Sequence, residues 1–460
     1  MRRSSANWPP NPARRASKLL SLCVLLFFSA DPASAVDPSR RLSQYGHTAW
    51  RIQDGYFGGV PTSLAQTTDG YLWIGTRNGL LRFDGLRFVP LTQLAGQQEP
   101  AFIISLLAAR DGSLWIGTDH GLSHWFNSKL INLDTPPMIE SIVEDEKGVI
   151  WFVYDYLPGM PARRGRLCQV IGVDTRCYGT ADGIPDIRYV RFATDTRGNV
   201  WMAGASALVQ WNPASSTSTV YITKALQSRS HEGQPGVLGL AANPDGSMWV
   251  GMAFRGPAGG LQHLVGGVWK PFRLPKLDGT SLIVDMLLFD REGSLWIGTY
   301  DQGIYRVHGP TVEHFGSADG LTSDNAYLFC EDREGNLWVA TAMGLDLFRD
   351  KRVATFSSRE GLGTPEVDGV MAARDGTVWI SGAESLDALR KDAVTSIRTG
   401  KGLPGNQVTS LFQDHAGQLW VGIVNSRSTK TANSNGLTRM TAVQPGWWLE
   451  SRRTSKTTSG

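Results

Sequence analysis

Cysteine, charge and long apolar runs are all scarce in this sequence. Its 460 residues include 4 cysteines and 8 histidines, and charged residues make up 19% with a formal net charge of +3. So low and balanced a charge argues against a nucleic-acid-binding surface and against a disordered tail protein. No C-x-x-C pair is present, which excludes a zinc-ribbon or thioredoxin-like motif. After residue 36, no apolar run approaches the roughly 20 residues of a membrane-spanning helix.

The N-terminus has the pattern of an export signal. Five basic residues precede an apolar run from Leu19 to Ala30, and Ala33-Ser34-Ala35 stands before Val36. This pattern predicts a secretory signal over residues 1–35, cleaved between Ala35 and Val36. An uncleaved anchor is the alternative, but the run is too short to span a membrane. The segment has five positive charges and one negative charge, so its removal changes +3 to −1. We expect a periplasmic or extracellular product without a further membrane span.

The cysteines are weakly informative about an oxidising compartment. Cys168 and Cys177 are separated by eight residues, a spacing that fits two short strands joined by a turn. A disulfide between them is therefore predicted, with two free thiols as the open alternative. Cys330 is left over in an apolar stretch and is predicted to be a buried, inert thiol.

Glycine and tryptophan are abundant, with 52 and 16 residues, and they mark an internal repeat. A similar formula surrounds nine tryptophans, and a glycine lies three residues before each of them. The nine are Trp73, Trp115, Trp151, Trp201, Trp249, Trp296, Trp338, Trp379 and Trp420, at spacings of 36 to 50 residues. Such a period is typical of solenoids, propellers or other repeat arrays.

Each repeat reads as β-structure. Asp-Gly or Glu-Gly predicts a tight turn, because glycine adopts positive φ without steric cost. Leu-Trp-Ile-Gly-Thr then predicts a strand that is apolar on both faces. Glycines interrupt every apolar run after five to eight residues, which disfavours a helical solenoid. Four short strands in about 42 residues match one propeller blade, so the fold class is predicted as an all-β propeller.

The number of blades is harder to predict, because nine repeats exceed the usual four to eight of a propeller. We expect a first ring of about seven blades over residues 36–356 and two further repeats, a partial second propeller, over 357–440. Residues 441–460 are expected to be an irregular tail. One enlarged ring is the alternative. The stretch Thr48–Gly55 resembles an outer strand and is expected to join the end of the ring to its beginning.

The formula D-x-x-G-x-L-W-[IV]-[GA]-T followed by G-L resembles the two-component regulator propeller repeat. Asp319–Asp324 and Gly402–Asn406 resemble its linking phrases, and the likeness covers roughly residues 42–423. The resemblance implies the exported sensor region of bacterial histidine kinases or hybrid two-component systems. It also implies a small extracellular ligand, with an oligosaccharide among the candidates, and a homodimer.

The chain departs from the complete plan of that family. It has too few repeats for two rings, no membrane span after the signal, and no kinase motifs. We therefore expect a truncated or frame-shifted sensor without the kinase module, which is not itself an enzyme. The rival functions are a propeller enzyme, either a lyase or similar to a glycoside hydrolase, and a protein-interaction scaffold.

No catalytic, metal-binding or cofactor-binding residue is predicted. The sequence has no H-x-x-x-H pair in a helical context, no G-x-S-x-G elbow and no phosphate loop. Asp290 and Asp332 are similar to the Asp-box of sialidase propellers, but acids recur in the turns of several repeats, which favours a structural role over a paired-carboxylate glycosidase.

The ligand-binding residues are unknown from sequence, and three long connections are the candidate sites. These are Tyr154–Arg166, Ser228–Gly236 and Phe254–Gly260. Aromatic residues outside the formula, namely Tyr154, Tyr156 and Trp269, are candidates for stacking on a sugar. The alternative for each is packing against the outer strands.

Overall fold

The structure is a computed structural model. It describes residues 37–95, 102–154, 167–185, 189–231, 236–351, 353, 355–391, 393–399, 401–403, 407–424 and 439–443. The chain divides into two compact units. Unit 1 comprises Met1–Asp37 and His47–Asp350, and unit 2 comprises Pro38–Gly46 and Lys351–Gly460.

Unit 1 is built from seven four-stranded sheets within its described residues. Six of them are consecutive in sequence. Sheet 1 consists of β2 (Pro61–Gln66), β3 (Leu72–Thr76), β4 (Gly79–Phe83) and β5 (Phe88–Pro90). Sheet 2 consists of β6 (Ile103–Ala108), β7 (Leu114–Thr118), β8 (Leu122–Phe126) and β9 (Lys129–Asn132). Sheet 3 consists of β10 (Ile139–Glu144), β11 (Ile150–Tyr154), β12 (Leu167–Ile171) and β13 (Asp174–Tyr178).

Sheets 4 to 6 continue the same order. Sheet 4 consists of β14 (Tyr189–Thr194), β15 (Val200–Gly204), β16 (Leu208–Asn212) and β17 (Thr217–Tyr221). Sheet 5 consists of β18 (Val237–Ala242), β19 (Met248–Met252), β20 (Leu261–Val265) and β21 (Val268–Pro271), and the short hairpin β22 (Arg273–Leu274) and β23 (Leu277–Asp278) follows it. Sheet 6 consists of β24 (Val284–Phe289), β25 (Leu295–Thr299), β26 (Ile304–His308) and β27 (Thr311–Phe315). Two helices, α1 (Leu91–Ala95) and α2 (Lys224–His231), follow β5 and β17.

Sheet 7 combines the two ends of unit 1. It contains β28 (Ala326–Glu331), β29 (Leu337–Thr341) and β30 (Gly344–Arg349), and its fourth strand is β1 (Gly46–Arg51). The first strands of consecutive sheets contact one another, and β28 in turn contacts β2, so the seven sheets form a closed cycle. The prediction that the N-terminal stretch adds an outer strand to a distant blade is confirmed by this strand order.

The repeat formula forms the hairpin between the first and second strands of each sheet. In every repeat, the residue six positions before the tryptophan donates its N–H to the carbonyl two positions before the tryptophan. The glycine donates its N–H back to the carbonyl at the first of these positions. All nine glycines have φ between 76° and 90°. This is the three-residue hairpin loop that needs a left-handed third residue, which explains the glycine.

The strand that follows the turn is buried along its whole length. Every residue of β3, β7 and β25 is buried, because each sheet is covered on both faces by its neighbours. The glycine in Leu-Trp-Ile-Gly-Thr marks a close approach to the next sheet. A Cβ at Gly75 would lie 2.5 Å from Ile103 Cγ2, and one at Gly117 would lie 2.8 Å from Ile139 Cγ2. A side chain there would force adjacent sheets apart.

An Asp six positions before the tryptophan, at the start of the turn, accepts a hydrogen bond from the indole. In five repeats its carboxylate accepts a hydrogen bond of 2.8 to 3.0 Å from the tryptophan Nε1. Asp290 and Asp332 are two of these acids, and each also accepts a backbone N–H within its own turn. Both acids are buried and fully engaged, which supports their predicted structural role.

The turns also link neighbouring sheets through arginines. Arg291 in sheet 6 donates its backbone N–H to Glu331 Oε2 at 3.0 Å and its Nη2 to the Asp332 carbonyl at 2.8 Å, both in sheet 7. Arg333 in sheet 7 donates its backbone N–H to Gln66 Oε1 in sheet 1 at 2.6 Å. The same contact therefore repeats across the point where the cycle closes.

Unit 2 holds the last two repeats. One sheet contains β31 (Val367–Ala372), β32 (Val378–Gly382), β33 (Ser385–Arg390), β34 (Ala393–Thr399) and β35 (Gly402–Leu403). The other contains β36 (Gln407–Gln413), β37 (Leu419–Val424) and β38 (Arg439–Val443). β38 extends to Val443 and thus into the segment 441–460 that we expected to be irregular, because its backbone pairs along the edge of β37.

Candidate functional site

The first strand of every sheet in unit 1 contains a bulge near its beginning. In β24, Val284 pairs with Thr299 and Met286 pairs with Gly298, so Asp285 is an extra residue without a partner. The same shift occurs at Glu140 in β10 and at Tyr327 in β28. We call the end of the ring where the first strands begin, and where the second strands end, the upper mouth. Bulges at such rims re-aim side chains, so these positions can serve the mouth without disturbing the sheet.

Arg191 reaches across the ring just inside the upper mouth. It directly follows the bulge of β14 in sheet 4. Its Nη2 lies 3.5 Å from the carbonyl oxygen of Tyr327 in sheet 7, which is three sheets away in a cycle of seven. A side chain that joins opposite sheets must pass through the centre, so the guanidinium lies on or near the ring axis.

Two carboxylates interact electrostatically with this guanidinium. Asp285 comes from sheet 6 and Glu140 from sheet 3, and both are partly buried. Burial lowers the pKa of Arg191, while the two acids act in the opposite direction. Burial raises the pKa of Asp285 to about 6; Arg191 lowers it and Asp301 raises it further. The centre of the mouth therefore holds a half-buried cation beside an acid whose pKa is raised to about 6.

Tyr327 fixes the wall of the site. Its hydroxyl lies 2.6 Å from the Pro61 carbonyl oxygen and 3.1 Å from that of Thr341, so it can donate to either. Burial raises its pKa, which keeps the phenol protonated. The hydroxyl is thus engaged between sheets 7 and 1, and it is the backbone carbonyl of Tyr327 that faces Arg191.

A second charged group lies on the rim of sheets 5 and 6. Arg255 Nη2 lies 2.8 Å from Asp301 Oδ1, and its Nε donates to the Ser281 carbonyl at 2.7 Å. Tyr305 donates its hydroxyl to Gln302 Oε1 at 3.1 Å, and burial together with Asp301 raises the Tyr305 pKa. Asp301 therefore connects the rim electrostatically with Asp285 below it.

Of the three predicted binding connections, Phe254–Gly260 is described completely and contributes Arg255 to this rim. Its backbone is held by hydrogen bonds, including Gly256 N to the Thr280 carbonyl and Gly260 N to the Phe254 carbonyl. Phe254 is buried in the core of sheet 5. The connection is thus a rigid support for one exposed guanidinium.

In the predicted connection Ser228–Gly236, the first four residues end helix α2. The segment before it favours a helix, because Ala225, Leu226 and Gln227 are good helix formers and Thr223 Oγ1 accepts the Leu226 N–H. Leu226 is fully buried and anchors the helix on sheet 5.

The aromatic candidates do not converge on one site. Tyr154 ends β11 and is buried against the neighbouring core, while Trp269 lies in the outer strand β21 and packs against the core of sheet 5. Both therefore follow the packing alternative. Tyr156, the rest of Tyr154–Arg166 and the cleavage pair Ala35 and Val36 lie outside the described residues.

Among the cysteines, the structure brings together Cys168 and Cys177. They are directly opposite on β12 and β13 and form a disulfide with a Cα–Cα distance of 4.0 Å. Cys330 is a free thiol whose pKa is raised to about 12, chiefly by burial, so it is unreactive at neutral pH.

Sequence reasoning missed Arg191, Asp285 and Glu140 because they lie outside the repeat formula. A signal was nevertheless present, since each is a charged residue within the first three positions of a first strand that also holds several apolar residues. Their convergence depends on ring closure, which brings residues about 50 to 140 positions apart to one axis.

Comparison with known proteins identifies the type of repeat and the type of fold. Three segments, residues 55–78, 320–343 and 402–425, match the model of the two component regulator propeller. The extracellular domain assigned to a hybrid two-component system of B. thetaiotaomicron matches with a TM-score of 0.61 at 16% identity, covering 87% of this chain and 53% of the other. A second such domain from the same organism matches with a TM-score of 0.53 at 18% identity, covering 83% and 51%.

A propeller of another kind also matches. Virginiamycin B lyase from Staphylococcus aureus aligns with a TM-score of 0.51 at 14% identity, covering 67% of this chain and all of the lyase. At these identities the likeness shows the fold alone. None of the curated proteins is similar to the chain at a significant level.

The chain therefore carries two component regulator propeller repeats, and its fold is an all-β propeller, as predicted. It spans about half the length of the extracellular domains it matches. Within the described part of the chain, neither helix is long or apolar enough to cross a membrane.

Proposed function

We propose that this chain is the exported ligand-sensing part of a two-component signal transduction system. The observation that carries the proposal is the repeat itself, which matches the two component regulator propeller and folds into a cycle of sheets with a charged mouth. Similar folds occur in extracellular domains assigned to hybrid two-component systems. The ligand is proposed to bind at the upper mouth, where charged side chains lie near the axis.

The proposed organisation follows the repeats. Residues 36–356 form a propeller of about seven blades, 357–440 form two blades of a second propeller, and a signal over 1–35 is removed between Ala35 and Val36. The product would then work in the periplasm or outside the cell. The disulfide between Cys168 and Cys177 supports such an oxidising location.

The proposed ligand is a small extracellular molecule, with oligosaccharides among the candidates, and the proposed signal is a change in the association of two copies. The centre of the mouth, with the cation Arg191 and the acids Asp285 and Glu140, offers donors and acceptors to a polar ligand. Its loops are fixed by hydrogen bonds, so binding would meet a largely preformed surface.

A propeller enzyme is the second candidate, because the full length of a lyase propeller matches 67% of this chain. The acids that recur in the turns do not support it. They accept hydrogen bonds from tryptophan Nε1 and from turn amides, which leaves them in structural roles.

A panel of glycans and small metabolites, read by thermal shift and by product analysis, separates the candidates. A ligand that binds only the folded state raises its stability by mass action. Stabilisation without turnover supports a sensor, and turnover supports an enzyme. Absence of both across the panel would overturn ligand sensing and favour a protein-interaction scaffold.

A further inference from the structure

The guanidinium of Arg191 has few partners for a group at the centre of a protein. Its one hydrogen bond within the described residues is the 3.5 Å contact to the Tyr327 carbonyl. A guanidinium carries five N–H donors in a planar fork. The Arg191 side chain is half-buried, so its remaining N–H donors are accessible to a ligand that completes their hydrogen bonds.

Asp285 does not neutralise Arg191 by direct pairing. Within the described part of the chain, Asp285 forms no ion pair with Arg191, and both Asp285 and Glu140 act on Arg191 through space. Asp285 has no hydrogen-bond partner among the described residues either. Among the described residues, the further titratable groups near this centre are Tyr327, Arg77, which acts on Tyr327, and Asp301 on the rim with its partner Arg255.

We propose that Arg191 is a binding subsite for the carboxylate of a small acidic ligand that enters through the upper mouth. This inference rests on the proposed ligand-binding function and names the chemistry of its site. A carboxylate matches the guanidinium fork with two parallel N–H···O bonds, which are among the stronger hydrogen bonds in proteins. Because Arg191 crosses the axis, it forms the floor on which such a group would end.

Asp285 makes this binding depend on pH. When it is protonated, the hydroxyl of its carboxyl group can donate to the ligand, and Arg191 lacks one competing negative charge. When it is ionised, it repels the incoming carboxylate. With a pKa of about 6 for Asp285, affinity should rise about tenfold between pH 7 and pH 5 if only the protonated form binds.

The test is isothermal titration of the full chain at pH 5 and pH 7. The probes are galacturonate, glucuronate and succinate, each beside a neutral counterpart: galactose, glucose and 1,4-butanediol. We expect at least one acid to bind, its neutral counterpart to bind at least tenfold more weakly, and the affinity for the acid to be about tenfold higher at pH 5.

Three variants locate the effect. Arg191→Gln should abolish binding of the acid, and Asp285→Asn should bind it with little difference between the two pH values. Arg87→Gln, which removes one positive charge from an exposed turn of sheet 1, should bind like the parent protein. Circular dichroism checks that each variant folds. If Arg191→Gln does not fold, the pH dependence of binding by Asp285→Asn still tests the proposal.

Equal binding of acids and neutral counterparts would overturn the inference, as would unchanged binding by Arg191→Gln. If acids fail here while a neutral compound of the wider panel binds, the carboxylate subsite is wrong and ligand sensing stands. If no compound of either set binds, both proposals fail.

Discussion

Each repeat tryptophan lies in a strand that is covered on both faces. Its indole still carries one N–H, and that donor needs an acceptor. Here the acceptor comes from the turn six residues earlier, so one aspartate fixes the turn and satisfies the strand at the same time. Asp332 receives hydrogen bonds from Asn336 N, Asn336 Nδ2 and Trp338 Nε1, at 2.8 to 2.9 Å. The repeat formula thus encodes a contact as well as a secondary structure.

Asp332→Ala tests this contact. We expect the free energy of unfolding to fall by about 1–3 kcal/mol, because the buried indole N–H and the turn amide lose their acceptor. Asp332→Asn retains an acceptor oxygen and should lose less. Urea denaturation of the three proteins measures the order, and equal stability of the parent and Asp332→Ala would contradict it. The turn itself should survive, since the repeat at Trp379 has Ala373 at this position and forms the same hairpin.

Asp285 predicts a pH dependence of stability with a definite sign. Its pKa is about 6 in the folded state against an ordinary 3.8, so between these values the folded state binds more protons than the unfolded state. Stability must then fall as pH rises from about 4 to 6 and level off above it, by at most about 3 kcal/mol. Ionisation of this acid therefore penalises the folded protein at neutral pH.

The measurement is the difference in unfolding free energy between the parent and Asp285→Asn from pH 4.5 to 7. Subtraction removes the titration of all other groups that the two proteins share. We expect the variant to gain stability relative to the parent as pH rises. A difference that does not vary with pH would contradict the raised pKa.

At the scale of elements, the disulfide joins β12 and β13 across one short hairpin. Cys168 and Cys177 are nine positions apart, so the closed loop is small. The chain-entropy model gives about 2–3 kcal/mol for a loop of this size. We expect the double variant Cys168→Ser, Cys177→Ser to lose about this much stability, measured by thermal or urea unfolding under oxidising conditions.

Cys330→Ser is the control for any effect of a reductant on the free thiol. Adding a reductant should destabilise the parent and Cys330→Ser alike, while the double variant should not respond. A reductant effect that persists in the double variant would mean that the Cys168–Cys177 bridge is not its source.

How far the elements could be predicted depends on how often their signal repeats. The turns and second strands follow from a glycine and a tryptophan that recur nine times, each required by a backbone angle or a buried surface. Helix α2 occurs once and lies outside the repeat formula, so the repeat pattern does not predict it, and its last four residues lie in a segment predicted only as a long connection. Arg191 and Asp285 were beyond prediction as a pair, because two residues 94 positions apart meet only once the ring has closed.

At the scale of the whole molecule, the cycle of sheets depends on a strand from the far end of the chain. His47 in β1 contacts Asp346 in β30 with Nε2 at 2.8 Å from Oδ1, across a separation of 299 residues. Asp346 is fully buried, and the His47 ring packs on Phe315 and Phe348 at centroid distances of 5.2 and 4.9 Å. One residue therefore contributes both packing and a polar partner to ring closure.

His47→Ala should lower the unfolding free energy by about 2–4 kcal/mol, because it leaves a buried carboxylate with one partner fewer and opens a cavity. His47→Gln restores a donor but not the aromatic packing and should recover part of the loss. His120→Ala, at an exposed histidine, should change stability by less than about 0.5 kcal/mol. Denaturant unfolding compares the three, and a neutral His47→Ala would show that β1 closes the ring without this contact.

The bulge in each first strand has a consequence for how such a protein can diversify. The extra residue has no cross-strand partner in the ladder, so its replacement leaves the register of the sheet intact. In unit 1 the seven positions are Thr62, Ile104, Glu140, Val190, Leu238, Asp285 and Tyr327. Selection can therefore change the residue at such a position without shifting the register of the sheet, while Thr62 and Tyr327 also donate hydroxyl hydrogen bonds to backbone carbonyls of a neighbouring sheet. Descendants of one stable propeller can therefore come to recognise unrelated molecules through a handful of point mutations.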